Sequence, residues 1–373
     1  MQNIFKNYIF PVVTLTGSMI GVGFLSLPYI ALKVGALTMS IYFLALTILM
    51  VVLHSMVGQI SLKTPDFKRW PGFIGFYFGD VPKKIMMGLI VMGVFGVMLI
   101  YLIVGSQFLS VILSGIFGSN SLLYVLLYFG AASLCIYFGV RAISRVDFLA
   151  LILLLVIMGL IFLKGLPYMN IQNLQLFPVG TGASFVSQWF LPYGAILFSL
   201  WGAPFIPEIE EMMRGDKKSL SVVIITATLI TAIFYFLFTF LVVSITGGST
   251  TESALVGLKE FLGTGVASVA VFMGVITIFI ALIAEGLLLK KIFIYDMGMS
   301  HFSAFALTCF VPLALFLLGV NSFIPLVSFI GGVLLSIDGI LILLMYKKIG
   351  GSKLLVYPLV LFFILGIIYS IVY

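Results

Sequence analysis

Apolar runs of about 18 residues or more recur from end to end of this 373-residue chain, and they leave few folds open. A run of that length crosses the hydrocarbon core of a bilayer as a helix, because a helix satisfies its own backbone where no water can. The composition agrees: 62% of residues are hydrophobic and 8% are charged, against roughly 25% charged in a soluble globular chain. Mean hydropathy is +1.31. A transmembrane barrel would show alternating segments of ~10 residues instead, and none appear. The chain reads as an all-α polytopic membrane protein.

Eleven spans are predicted, over 8–32, 36–61, 85–114, 121–140, 147–166, 188–211, 220–246, 263–289, 302–319, 322–346 and 354–373. Basic residues orient them. With the N-terminus in the cytoplasm, Lys6, the Lys63–Lys84 cluster, Arg141, Arg145, Arg214, Lys217, Lys218, Lys290, Lys291, Lys347, Lys348 and Lys353 all fall on the inner side. Only Lys33, Lys164 and Lys259 fall elsewhere, and the C-terminus is placed outside. The formal charge of +7 is therefore read as sorting of basic residues to inner loops rather than as a nucleic-acid surface. Cys135 and Cys309 both lie inside predicted spans, so no disulfide framework is expected. The first apolar run is too long for a signal peptide and lacks a small-residue cleavage site.

Two spans are interrupted. Span 1 carries Gly17-Ser18-Met19-Ile20-Gly21-Val22-Gly23-Phe24-Leu25-Ser26-Leu27-Pro28-Tyr29, and span 6 carries Phe198-Ser199-Leu200-Trp201-Gly202-Ala203-Pro204-Phe205-Ile206-Pro207-Glu208. Irregular backbone at membrane depth costs several kcal/mol per unpaired group and survives where a cavity, ion or ligand supplies partners. Paired interruptions in corresponding places point to a transporter's binding site. Each half holds five spans, and an odd number makes the second half enter the membrane from the opposite face. The chain therefore reads as one transmembrane domain, 1–373, holding a 5+5 inverted repeat: 8–166, then 188–346, with an eleventh helix at 354–373.

Two loops have content. Residues 62–84, with Asp66-Phe67-Lys68-Arg69-Trp70-Pro71, read as an interfacial segment on the inner side, its aromatics at headgroup level. Residues 249–262 combine a capping-box pattern at Ser249–Glu252 with Ala254, Leu255, Leu258, Phe261 and Leu262 at helical spacing. That predicts a short amphipathic helix on the outer side, either an inert connection or a lid.

The Gly17–Tyr29 segment resembles the first span of the amino acid/auxin permease family within the amino acid–polyamine–organocation superfamily. Gly194-Ala195-Ile196-Leu197-Phe198-Ser199-Leu200-Trp201-Gly202 with Ile206-Pro207-Glu208, and Gly331-Gly332-Val333-Leu334-Leu335-Ser336-Ile337-Asp338-Gly339 in span 10, resemble that family too. The resemblance covers nearly the whole chain. It implies the leucine-transporter fold and ion-coupled uptake of amino acids at the cell membrane, with no cofactor beyond a coupling Na+ or H+.

An amino acid brings a carboxylate and an ammonium. The carboxylate suits free N–H groups at a half-helix start, here Gly21, Val22 and Gly23. The ammonium suits free carbonyls near Ser18, Met19, Phe198 and Ser199. The competing reading of these glycines is close helix packing. Tyr101 in span 3, Phe198 and Trp201 in span 6 and Met273 in span 8 are expected to line or gate the pocket. Sodium-driven relatives use carbonyls of span 1 and hydroxyls of span 8, which would be Gly17, Ile20 and Thr277 here. Gly17 replaces the asparagine those relatives carry, and no lysine stands mid-span 5, so Na+ and H+ stay open.

Ionisable groups inside the membrane are costly and default to functional candidates. His54 and Glu285 read as interfacial charges near basic ends, and Glu210 and Glu211 as partners of Arg214. Asp338, nine residues before Lys347 and so ~14 Å deep, and Glu208, at the end of broken span 6, are the proton-relay or gate candidates. No acid lies closer to the break than Glu208, which favours a small neutral amino acid over a cationic cargo such as a polyamine. A catalytic cluster for an intramembrane enzyme is missing from the sequence. An exchanger, or a transporter-like amino acid sensor, is the alternative. One chain holds the whole expected cavity, so a monomer in the lipid bilayer is expected to suffice.

Overall fold

The computed structural model describes residues 8–65, 70–139, 152, 156, 158–177, 189–213 and 217–372, and those residues form helices and connections with no strand among them. In chain order the α-helices are α1 (Phe10–Met19), α2 (Leu27–Val34), α3 (Ala36–Lys63), α4 (Trp70–Phe78), α5 (Asp80–Phe117) and α6 (Ser121–Phe138). Then come α7 (Leu191–Leu200), α8 (Ile206–Met212), α9 (Lys217–Thr246), α10 (Lys259–Lys291) and α11 (His301–Leu317). The last are α12 (Phe323–Phe329), α13 (Leu335–Lys348) and α14 (Lys353–Val372).

Among the described residues, seven helices are long and apolar enough to cross a membrane, and the bent pair formed by α1 with Val22–Val34 raises that to eight. They correspond to predicted spans 1, 2, 3, 4, 7, 8, 10 and 11. Span 9 is the shorter apolar helix α11. Span 6 appears as α7 and α8 around a short 3₁₀ turn, Ala203–Phe205. The first part of span 5 (147–151, 153–155 and 157) lies outside the described residues, as do Lys6, Asp66–Arg69, Arg141, Arg145 and Arg214.

The chain divides into two compact units, and the division interleaves the two halves of the sequence. One unit comprises Met1–Ile90, Gln175–Thr239 and Val327–Tyr373; the other comprises Val91–Leu174 and Phe240–Leu326. Spans 1, 2, 6, 7, 10 and 11 thus group together, and spans 3, 4, 8 and 9 group together. Neither unit is a sequence half.

In the first unit the core is built where backbones approach closely. α7 packs on a π-helical turn, Ile330–Leu334, that joins α12 to α13. Glycines at 194 and 331 make that approach possible, because a Cβ at either would strike the other helix's backbone. Tyr193 fills the space beside Gly366, and its hydroxyl hydrogen-bonds the Ser336 hydroxyl at 2.8 Å. Phe24 stacks on Tyr235 at 5.3 Å and meets Phe238 edge-on at 4.9 Å, so α9 walls the irregular part of span 1.

In the second unit α6 packs against α10. Tyr128 donates to the Val275 carbonyl at 3.1 Å, and Phe108 closes on Gly274. Lys290 caps the end of α6, donating to the carbonyls of Ile136 and Tyr137 at 3.0 Å each.

Two sequence expectations are corrected here. The helix predicted within 249–262 does not form: a 3₁₀ turn, Gly247–Ser249, is followed by turns, and the helix starts only at Lys259, continuing into span 8. The reason is local. Ala254 adopts φ 55°, which no helix tolerates, and the Thr251 hydroxyl accepts from the Gly257 N–H at 3.1 Å, offering the backbone a turn instead. The interfacial segment does contain a short helix, α4, but Trp70 turns inward and is buried.

Candidate functional site

Both breaks form in the first unit, and they touch. α1 ends at Met19, Ile20 leaves the helical region with ψ 93°, and Gly21 is extended before the 3₁₀ segment Val22–Ser26 begins. The two sides are bent by 52°. α7 ends at Leu200, and Trp201 is extended with ψ 117°. Gly202 lies against Met19: a Cβ there would be 2.7 Å from the methionine methyl. Gly23 lies against Phe198 and Ser199 at 2.5 and 2.8 Å by the same construction. Glycine at 23 and 202 is what lets one break seat on the other.

The interruptions leave backbone groups without helical partners. A 3₁₀ helix that starts at Val22 gives no internal acceptor to the N–H groups of Gly21, Val22 and Gly23, and none of the described residues supplies one. Gly21 is exposed within this otherwise buried stretch. At the end of α7 the carbonyls of Leu197, Ser199 and Leu200 have run out of helix, while that of Phe198 receives the Trp201 N–H at 3.5 Å. Free donors from one broken span and free acceptors from the other therefore stand on neighbouring backbone, the complement of a zwitterion's carboxylate and ammonium.

Not every carbonyl in the expected set is open. Met19 already accepts from the Tyr235 hydroxyl at 2.9 Å, and Gly17 accepts from the Ile20 N–H at 3.2 Å. The Ser18 hydroxyl is spent on the Thr14 carbonyl at 3.0 Å. Thr16, on the same turn, has a buried hydroxyl with no hydrogen-bond partner.

Of the expected side chains, Phe198 and Trp201 are half-buried at the span-6 break. Tyr101, Met273 and Thr277 belong to the second unit. Tyr101 is buried there, and Thr277 donates to the Gly274 carbonyl at 3.2 Å. Glu208 is exposed on α8. Asp338 is buried on α13, beside the buried Trp70, and the carboxylate and the indole N–H face one another without closing a bond of ordinary geometry.

One residue in this region was misread from the sequence. His54, fully buried on α3, reaches the span-6 break: its Nε2 accepts the Gly202 N–H at 3.1 Å, and its Nδ1 meets the Thr228 hydroxyl of α9 at 3.0 Å. It is not an interfacial charge. The signal was available, since His54 stands nine residues before Lys63, as far from its basic end as Asp338 is from Lys347. Thr228 and Tyr235, each bonded into this centre, carried no signal among the many hydroxyls of an apolar chain.

The sequence matches the family model described as transmembrane amino acid transporter protein over residues 10–337. No curated protein matches it significantly. Among solved structures, the chain is similar to MhsT in complex with L-phenylalanine, with a TM-score of 0.64 at 13% identity over 97% of each chain. It is similar to Mhp1, a nucleobase-cation-symport-1 family transporter, closed with bromovinylhydantoin bound, with a TM-score of 0.59 at 12% identity over 90% of this chain and 77% of that one. It is also similar to the inward-facing conformation of Mhp1, with a TM-score of 0.62 at 12% identity over 97% of this chain and 88% of that one. At these identities the likeness is one of fold, that of the leucine-transporter type.

Proposed function

The chain belongs to the transmembrane amino acid transporter family, and on that premise we propose that it carries a neutral amino acid across the cell membrane by alternating access, driven by a cation gradient. The observation that carries this reading is the seating of the two breaks on one another, with the N–H groups of Gly21, Val22 and Gly23 beside the ending carbonyls of α7. Donors of fixed geometry for a carboxylate and acceptors for an ammonium select the part common to all amino acids. Phe198 and Trp201 stand at the same break and offer apolar and aromatic surface to a side chain. Among the described residues of the two broken spans no acid is buried, which suits a neutral cargo.

The reading takes the spans as eleven, arranged as a 5+5 inverted repeat plus one, with the N-terminus inside and one chain sufficient. Rocking of one part of the repeat against the other supplies the alternation, and Tyr101 and Met273 are kept as proposed pocket residues. Asp338, together with Trp70, forms a gate on the inner side; Glu208, being exposed, is left out of it. Sodium coupling through Gly17, Ile20 and Thr277 is the alternative to a proton, with the unpartnered Thr16 hydroxyl in its favour.

The test is uptake of pooled radiolabelled neutral amino acids into proteoliposomes under an imposed sodium or proton gradient. Accumulation above the equilibrium level under either gradient is expected. Sodium-driven uptake that is lost in Thr277→Ala assigns the ion to the carbonyl-and-hydroxyl set. Absence of uptake under both, with a monodisperse protein, overturns the transporter reading and favours an amino acid sensor.

A further inference from the structure

The hydrogen bonds around His54 fix its state. Nε2 accepts from the Gly202 N–H, so it bears no proton. Nδ1 therefore carries the ring's proton and donates to Thr228, whose hydroxyl in turn donates to the Ile224 carbonyl at 2.8 Å. The chain of donors runs in one direction, from the backbone of the broken segment through the imidazole to α9, and every member is satisfied. A second proton has one place to go, Nε2, and there it would confront the Gly202 N–H with another donor.

Protonation of His54 and the present seating of Gly202 are thus mutually exclusive. Linkage makes the exclusion reciprocal: a proton on Nε2 favours the arrangement in which Gly202 has left, and departure of Gly202 frees a lone pair that binds a proton. Gly202 is part of the break that holds the substrate under the reading above. We propose that His54 Nε2 is the proton-binding site that couples transport to a proton gradient, the proton adding to the lone pair that Gly202 vacates while Nδ1–H stays on Thr228. This rests on the transport reading.

Among the described side chains, α3 itself carries Tyr42 and Lys63, and the elements packed against it carry Tyr29 and Lys33 on α2, Tyr193 on α7, Glu208, Glu210 and Glu211 on α8, and Asp338, Tyr346, Lys347 and Lys348 on α13; α9 adds Tyr235. None bonds to His54, whose two nitrogens are spent on neutral partners. Under this proposal His54 takes the proton and Asp338 keeps the gate role given to it above.

His54→Gln tests this, because a glutamine amide oxygen can accept the Gly202 N–H but takes no proton. In proteoliposomes the variant is expected to keep amino acid counterflow at equal pH within about threefold of wild type, and to lose proton-driven accumulation at least tenfold. Retained proton-driven accumulation overturns the proposal, and so does loss of counterflow as well, which marks a structural cap alone. Wild-type protein that transports only with sodium overturns it while leaving the transporter reading intact; wild-type protein that never transports removes that reading itself. A measurement on the unaltered ring guards against misfolding of the variant. The chain has two histidines, so His301→Gln with ¹⁵N-histidine labelling leaves one imidazole to observe. A ring that moves from the Nδ1–H tautomer to imidazolium between pH 8 and 5, with a midpoint shifted by amino acid, is expected. A ring fixed in one neutral tautomer across that range, with and without amino acid, overturns the proposal.

Discussion

The α-carbon of Gly331 lies against the carbonyl of Gly194, so close that a methyl group on Gly331 would come within 2.6 Å of the Gly194 carbonyl carbon. A methyl on Gly194 would likewise come within 2.9 Å of the Ser328 backbone. The obstruction on both sides is main chain, which cannot rotate away. Gly194→Ala and Gly331→Ala are each expected to cost at least the ~1–3 kcal/mol typical of overpacking, read as a lowered melting temperature in detergent. Gly88→Ala and Gly130→Ala, where a Cβ meets nothing within 4 Å, are the controls and should not lower it.

Gly23 faces a side chain rather than backbone, and that changes the prediction. A Cβ at this position would be 2.5 Å from the Phe198 ring, at the point where span 1 seats on span 6. Gly23→Ala is expected to cut uptake at least tenfold, and Gly23→Ala combined with Phe198→Leu to recover part of it, because the ring is the removable partner. A double variant no better than the single one would place the fault elsewhere.

Asp338 is a carboxyl buried in an apolar span with one oxygen lacking a hydrogen-bond partner. Such a group is expensive where it stands, which is why the gate role proposed above falls to it. Asp338→Asn is expected to leave the melting temperature unchanged or raised while uptake falls at least tenfold. A variant that loses stability and keeps its transport rate would make Asp338 structural.

Lys290 donates to two carbonyls at the end of α6. Replacing it with methionine keeps the aliphatic stem and leaves those carbonyls without their charged partner. A loss of about 1–2 kcal/mol in stability is expected, with counterflow unchanged because the contact is internal to the second unit while both breaks belong to the first. Thermal unfolding followed by uptake of the reconstituted protein checks both halves.

What was legible in the sequence was carried by near neighbours. The helices α3, α5, α6, α9, α10 and α14 fall within a few residues of their predicted spans, because length and apolarity are local properties that a bilayer converts directly into helix. The two breaks were legible for the same reason: glycine and proline interrupt a helix wherever they stand. The segment at 249–262 was misjudged because helical spacing of apolar residues says nothing about whether Ala254 can take a helical φ; side-chain hydrogen bonds decided that.

The sequence by itself determined that this is a polytopic helical membrane protein with interrupted spans 1 and 6, since those properties depend on residues a few positions apart. Tertiary structure alone decided that the interruptions meet, that Met19 seats on Gly202, and that His54, 148 residues before its backbone partner Gly202, closes the centre. Those are contacts between distant parts of the chain. They depend on which faces of α1, α3, α7 and α9 turn toward one another, and in spans this uniformly apolar no stripe of polarity marks the inward face. Burial is therefore settled by shape, through glycines that admit a neighbour and hydroxyls that find the one acceptor within reach.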